Sequence, residues 1–180
     1  MLGRVRAALE AQPSVPEVPR DYRRTGDGGA ALFCERVAEY AAKVHRVAAA
    51  DLDAAVTRAV DGRRIATPES DLTAAELDAC VAVTGCALAI AETGTIVLDG
   101  GPESGRRALT LVPDRHVCVV RADQIVASVP EAIAALEPAA RAGRPITFVS
   151  GPSATSDIEL ERVEGVHGPR KLDVLVVDAR

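Results

Sequence analysis

Short apolar runs rich in β-branched residues alternate along the chain with segments in which apolar residues recur at helical spacing. The run at 116–120 is the clearest, because its continuous apolar character after His116 is typical of a strand buried on both faces of a sheet. Such alternation predicts βαβ units, and therefore an α/β fold with a mostly parallel sheet flanked by helices. We expect strands at residues 44–47, 64–67, 81–84, 95–98, 116–120, 145–149 and 172–177.

Helical periodicity marks four segments, which are residues 1–12, 30–43, 51–60 and 129–140. Pro130 fits the first turn of the last segment, where a missing N–H is tolerated. Thr73 and Glu76 have the spacing of a capping box and predict a further helix start. Residues 85–91, by contrast, are expected to form a turn or a single helical segment.

The composition of the 180 residues favours the same fold class. Hydrophobic residues make up 48% of the chain, which predicts a folded core, whereas aromatic residues make up only 2% and Trp is absent. The core must therefore be built from Val, Leu, Ile and Ala, as α/β layers are. We assign residues 30–180 to one α/β domain and residues 1–29 to an N-terminal helix followed by an arm containing Pro, Gly and Arg.

The charge distribution argues against several classes of partner. The net charge is −5 and no basic run occurs, whereas contacts to nucleic acid phosphates or to an anionic membrane need clustered cations. No apolar run approaches the about 20 residues of a membrane span. Residues 1–12 are too polar for a signal peptide, so we expect a cytoplasmic protein.

The cysteines and histidines do not indicate a metal site. Among Cys34, Cys80, Cys86 and Cys118 there is no C-x-x-C pair of the kind that binds zinc or iron–sulfur clusters, and the last three are expected to be buried, reduced thiols. Glu164 lies three residues before His167, and these two with His116 could bind a metal, but no H-E-x-x-H pattern supports it. We expect no metal, and keep His167 as a candidate for acid–base catalysis beside a structural, hydrogen-bonded role.

Two loops in the middle of the chain could bind an anion. Residues 92–95 contain Glu92, Thr93, Gly94 and Thr95, in which the carboxylate could act as a base or nucleophile and the hydroxyls could bind an anion. The residue types alone favour a tight turn between two strands. Residues 99–107 form a glycine-rich loop with Arg106 and Arg107, but they match no phosphate-binding fingerprint and could equally be a surface loop.

A third loop follows the strand predicted at 145–149. Its hydroxyl and carboxylate groups would lie at the carboxyl edge of a parallel sheet, where ligands collect. Ser156 and Glu159 have capping-box spacing, so an anion could bind at a helix N-terminus there; simple capping is the alternative. The candidate residues of this loop are Ser153, Thr155, Ser156 and Asp157.

Five motifs together resemble the LUD domain and, more closely, the lactate utilization protein C (LutC/YkgG) family. They are the segments 91–98 (AETGTIVL), 99–107, 109–116 (LTLVPDRH), 150–159 (SGPSATSDIE) and 164–169 (EGVHGP). The resemblance covers residues 30–178 and implies a NagB/RpiA/CoA transferase-like fold. It also implies a subunit without iron–sulfur clusters in a system that oxidises L-lactate to pyruvate, with cluster-bearing partner subunits.

We expect a small carboxylate or phosphate ligand to be bound by Glu92 to Thr95 and the third loop, with Arg106 or Arg107 as a carboxylate clamp. No catalytic residue is carried over from the resemblance. One alternative is a free-standing CoA-transferase-like enzyme in which Glu92 attacks an acyl-CoA carbonyl to form a covalent intermediate. Another is an interaction or assembly module that docks a partner through the arm at 13–31.

Overall fold

A computed structural model describes residues 2–9, 17–152, 154–155, 163–164 and 168–178. The helices are α1 (Leu2–Leu9), α2 (Ala30–Glu39), α3 (Leu52–Val60), α4 (Ala74–Asp78), α5 (Val129–Ala135) and α6 (Glu137–Arg141). The first six strands are β1 (Lys43–Val47), β2 (Ile65–Ala66), β3 (Val81–Thr84), β4 (Leu88–Ile90), β5 (Thr95–Leu98) and β6 (Arg115–Arg121). The others are β7 (Ile125–Val126), β8 (Thr147–Val149), β9 (Ala154–Thr155), β10 (Val163–Glu164) and β11 (Lys171–Val177).

The central layer is a parallel sheet of five strands in the order β1-β11-β6-β3-β2, which confirms the predicted fold class. The chain crosses the whole sheet from β1 to β2 through α3 and then returns strand by strand to β11. Because crossovers are right-handed, α3 lies on one face and the later connections lie on the other. The packing of the core is consistent with this arrangement. Helix α3 packs on Val117 and Leu175 on one face of the sheet, whereas α2 packs on Cys118 and Val174 on the other.

A second sheet of four strands, in the order β7-β4-β5-β8, covers the face opposite α3. Successive β4 residues point to opposite sides of this sheet. Ala89 joins the core shared with α2 and the parallel sheet, whereas Leu88 and Ile90 pack with Ala132 and Leu136 of the α5–α6 segment. The second sheet is therefore buried on both faces, between the parallel sheet and α5–α6.

Three predictions about these elements were wrong. Residues 85–91 contain strand β4 rather than a turn or helical segment, because a three-residue apolar run does not reveal its period. The predicted helix at 129–140 is two helices separated at Leu136, where Pro138 lacks the N–H that a continuous helix would need. The strand predicted at 145–149 belongs to the second sheet, so the loop after it does not follow the parallel sheet.

The N-terminal segment contains one short helix in its described part. Helix α1 lies within residues 1–12, and residues 17–29 contain no helix or strand. The end of this arm lies against the second sheet, because a Cβ at Gly28 would come within 3.1 Å of the Ala91 Cβ. None of the helices in the described part of the chain is long and apolar enough to cross a membrane.

Candidate functional site

Glu92 lies in the tight turn that joins β4 to β5, which is the structural alternative considered for this segment. Its Oε1 accepts a hydrogen bond of 2.8 Å from the backbone N–H of Val129, at the start of α5. Its Oε2 accepts one of 2.6 Å from the Arg23 guanidinium. These two bonds, the first being the larger influence, lower the pKa of Glu92. The carboxylate is thus ionised and engaged at both oxygens, and a nucleophilic role would require it to leave these partners.

Three hydroxyl groups form a hydrogen-bonded chain where β5 begins and β8 ends. Thr93 Oγ1 donates to Thr95 Oγ1 at 2.8 Å, and Thr95 Oγ1 lies 2.8 Å from Ser150 Oγ. We call Thr93, Thr95 and Ser150 the hydroxyl chain. The antiparallel pairing of β5 with β8 brings Ser150 to this position, 55 residues from Thr95.

Two glycines allow α2 to approach the hydroxyl chain closely. Gly94 has a φ of +62°, and a Cβ there would lie 2.7 Å from the Arg36 Cβ and the Val37 nitrogen. Gly151 has a φ of +95°, and its Cβ would lie 2.5 Å from the Tyr40 Cβ. The backbone and Cβ of Arg36 therefore border the turn, whereas its guanidinium donates to Glu39 at 2.8 Å and its buried Nε has no hydrogen-bond partner.

Arg106 and Arg107 do not bond the hydroxyl chain. Arg106 donates to the carbonyl oxygen of Leu72, and Arg107 donates to the carbonyl and Oγ1 of Thr110 at 3.2 Å each. Both guanidiniums thus hold surface loops in place. The proposed carboxylate clamp remains a prediction, and its arginines and the hydroxyl chain occupy different parts of the described structure.

The third predicted loop is described only in part. Thr155 belongs to β9, which pairs antiparallel with β10, so the backbone of Glu164 lies in a strand. The remaining candidates of this loop and its neighbourhood, with the predicted helix start, lie outside the described residues. They are Ser153, Ser156, Asp157 and His167.

Sequence reasoning missed a polar network at the carboxyl edge of the parallel sheet, formed by Glu103, Arg121 and Gln124. Arg121, at the end of β6, donates to both carboxylate oxygens of Glu103 at 3.0 Å, and this contact raises the pKa of Arg121. Gln124 donates to the Cys86 carbonyl at 2.7 Å and to Glu103 at 3.2 Å. This edge network joins the loops that follow β3, β5 and β6. The strand-end position of Arg121 is the one sequence signal that could have indicated it.

A cavity of about 450 Å³ adjoins the edge network, and we call it the edge cavity. Its apolar wall includes Leu88, Val126, Leu136 and Ala139. Its polar groups come from Asp99, Arg121, Asp123, Gln124 and Arg144. The polar part of the lining therefore combines two arginines with two carboxylates and one amide.

His116 is buried inside the parallel sheet rather than placed in a site. Its Nε2 lies 2.8 Å from Thr84 Oγ1, which itself donates to the Gly85 carbonyl, so the imidazole Nε2 carries the proton. Burial, and secondarily the charge of Arg107, lowers the pKa of His116 to about 4. Within the described residues no three His, Cys, Asp or Glu side chains are placed to hold a metal ion, and Cys80, Cys86 and Cys118 are buried free thiols.

Comparison with known proteins gives consistent matches along the chain. The model of the LUD domain matches residues 26–177. A lactate utilization protein C from Deinococcus radiodurans is 50% identical over 164 residues, which cover 81% of this chain and 77% of that protein. A crystal structure of a DUF162 family protein from the same species has a TM-score of 0.71 and 42% identity, covering 82% of this chain and 94% of that one.

Other relatives match over shorter regions. Lactate utilization protein C of Bacillus licheniformis is 35% identical over 104 residues, 56% of this chain and 43% of that protein. YkgG of Escherichia coli is 38% identical over 93 residues, 49% of this chain and 40% of that protein. The matched region is thus under half the length of these two relatives.

The fold and the family model together define an α/β protein of the LUD type. The chain belongs to the LUD domain family, in its lactate utilization protein C (LutC/YkgG) branch.

Proposed function

We propose that the protein is a component of an L-lactate utilization system, as the subunit without iron–sulfur clusters in a complex that oxidises L-lactate to pyruvate. The observation that carries the proposal is the 50% identity to lactate utilization protein C over 81% of this chain. The chain contains no C-x-x-C pair, so the redox centres would belong to iron–sulfur partner subunits. The proposal also places the protein in the cytoplasm.

The role of this subunit would be to bind a small carboxylate rather than to carry electrons. Two places in the structure support this. The hydroxyl chain brings three hydroxyls together, and its Ser150 is the first residue of the third loop predicted from the sequence. The edge cavity places Arg121 and Arg144 beside an apolar wall, although each is paired with a carboxylate in the free protein.

Growth on L-lactate tests the proposed function directly. The gene for this chain is deleted in its source organism, and growth is followed with L-lactate or with pyruvate as the carbon source. We expect growth on L-lactate to be lost, growth on pyruvate to be kept, and a plasmid copy of the chain to restore the first. Unimpaired growth of the deletion strain on L-lactate would argue against the proposal.

Assembly is tested by affinity purification of the tagged full chain from cells grown on L-lactate. We expect proteins that show the visible absorbance of iron–sulfur clusters, at about 400 nm, to be retained. A second preparation, from a chain that lacks residues 1–29, tests whether the arm contributes to binding of the partner proteins. Recovery of the tagged chain alone in both preparations would contradict the partner assignment.

A further inference from the structure

Strand β1 forms one edge of the parallel sheet and pairs with β11 on one side only. The Val47 carbonyl accepts a hydrogen bond of 3.2 Å from the Asp178 N–H, so the backbone groups of Val47 point toward β11. Because these groups alternate in direction along a strand, those of Val44 and Arg46 point away from the sheet. Within the described residues they have no hydrogen-bond partner, and such groups can pair with a further strand.

This strand is the longest edge strand of the two larger sheets. It has five residues, whereas β2 and β7 have two each and β8 has three. Its outer side is open, since His45 and Arg46 are exposed and Val44 is half-buried. An extended segment of another protein can therefore form several consecutive backbone hydrogen bonds at β1, which the shorter edges do not allow.

A cavity of about 540 Å³ runs beside this edge, and we call it the cavity beneath α3. Its lining extends from Lys43, the first residue of β1, to Ala48 and Asp51 beyond the last one. It is thus a groove about as long as β1, which is about 16 Å. Helix α3 leads from the end of β1 to the start of β2, so it runs antiparallel to the strands. Its Arg58 therefore lies at the same end of the groove as Lys43, and Asp51 lies at the other end.

Two cations of this groove have no ionic partner. Lys43 and Arg58 both line it, and neither forms an ion pair within the part of the chain that the structure describes. The remaining arginines of the lining are paired with carboxylates, Arg46 with Asp178 and Arg115 with Asp173. Carboxylates at alternate positions of a strand added to β1 would lie along the groove and meet the two unpaired cations.

A second copy of the chain matches this edge poorly. Pairing of two β1 strands would bring together Lys43, His45 and Arg46 from both copies. Like charges opposite each other destabilise a pair of strands, and cations on an edge strand commonly prevent self-association. The charges that disfavour a second copy favour an acidic strand.

We propose that β1 docks an extended acidic segment of a partner protein, which adds to the parallel sheet as a further strand. The segment pairs its backbone with the outward groups of Val44 and Arg46. Its carboxylates, at alternate positions, lie in the cavity beneath α3 with Lys43 and Arg58. This interaction surface goes beyond the proposed function, because it rests on the sheet edge and its charges rather than on the relatives of the chain.

The test is fluorescence anisotropy of labelled, capped peptides with the full chain. In the first peptide Glu and Thr alternate, so that a strand would carry all its carboxylates on one face. A second peptide has the same composition with its Glu residues contiguous, and a third has Lys in place of Glu. K43Q and R58Q each remove one cation of the groove. R63Q is the matched control, since Arg63 is exposed, has no ionic partner among the described residues and does not line the groove.

The backbone contribution is measured with R46P and R46Q. Both remove the charge of Arg46, but only R46P removes its outward N–H, and proline is tolerated on an edge strand where the N–H faces solvent. Urea unfolding verifies that each variant is folded. Two N-methylated forms of the first peptide, modified at every Glu or at every Thr, each block one edge of the peptide and test the same hydrogen bonds on the unaltered protein.

We expect the alternating peptide to bind the wild type and R63Q equally, and more tightly than either comparison peptide. K43Q and R58Q should each bind it about threefold more weakly, and R46P about tenfold more weakly than R46Q. One N-methylated peptide should lose binding and the other should keep it.

Equal binding of the alternating and contiguous peptides would overturn the proposal, because the cations would then act only as a charged surface. Retention of binding by both N-methylated peptides, equal affinities of R46P and R46Q, or no binding by the wild type would overturn it as well. Dimerisation of the wild type that R46P abolishes would assign the edge to a second copy and also contradict the proposal.

Discussion

Arg121 Nη1 donates to both carboxylate oxygens of Glu103 at 3.0 Å, and so ties the end of β6 to the glycine-rich loop. The two side chains are half exposed, at 50% and 47%. Water and salt therefore screen their attraction. The contact positions two loops around the edge cavity without forming a dry ion pair.

A double-mutant cycle with R121Q and E103Q should accordingly give a small coupling energy, about 0.5 kcal/mol and no more than about 1 kcal/mol, in urea unfolding. The coupling should fall further in 1 M NaCl. The more exposed pair Arg141–Glu137 serves as a reference of the same chemistry. A coupling above about 2 kcal/mol that is insensitive to salt would mean that the pair is desolvated in solution.

Gly94 should be much less tolerant of a side chain than Gly62, although both have a left-handed backbone, with φ values of +62° and +69°. G62A carries only the backbone strain, about 1 kcal/mol, because nothing lies within 4 Å of its Cβ. G94A adds a clash with the backbone of α2 at 2.7 Å, so it should cost about 2 kcal/mol more in chemical denaturation. Equal costs for the two variants would show that α2 does not press on the turn at Gly94.

His116 should make stability depend on pH between about 4 and 6.5. Burial lowers its pKa from 6.5 to about 4 in the folded protein, so in this window the unfolded state binds more protons. Stability is therefore complete above pH 6.5 and decreases as the pH falls, by up to about 3 kcal/mol at pH 4. Urea unfolding at a series of pH values measures the slope.

Two variants separate this effect from other titrations. H116Q keeps an N–H that can donate to Thr84 and should flatten the profile between pH 4 and 6.5. H45Q removes an exposed imidazole and should leave the profile unchanged. The lowered pKa values of Glu76 and Glu92 act only below about 4.5, so they fall outside most of this window. A slope that persists in H116Q would show that His116 is not its source.

Local sequence patterns predicted the elements that depend on neighbouring residues. Strands β3, β5, β6 and β11 follow from their β-branched runs, and the Thr73–Glu76 capping box is formed by bonds in both directions. Strand β4 was not predicted, because its three apolar residues pack alternately into two different cores. These two cores exist only because the second sheet separates them, so the local sequence does not show the alternation. The same sheet explains why the strand before Ser150 is not part of the parallel layer.

The polar sites were harder to predict because they join residues far apart in the chain. Thr93 and Thr95 were candidates, but Ser150 reaches them only through the pairing of β5 with β8. Glu103 and Arg121 are 18 residues apart, and each looks like an ordinary surface charge until the strand ends are aligned. Composition and spacing therefore indicated the loops that carry polar groups, whereas the partners depend on sheet register.

Asp173 and Arg115 form a buried ion pair beneath α3, with side-chain exposures of 5% and 14% and a contact of 2.8 Å. D173N should cost about 3 kcal/mol in urea unfolding at pH 7, because it leaves a nearly buried guanidinium without its counter-charge. The double variant D173L/R115M should recover more than half of this loss, since it removes both charges together. E137Q in the exposed pair with Arg141 should change stability by less than about 0.5 kcal/mol. If D173N were as mild as E137Q, water must reach Arg115 in solution and the cavity beneath α3 must be wet.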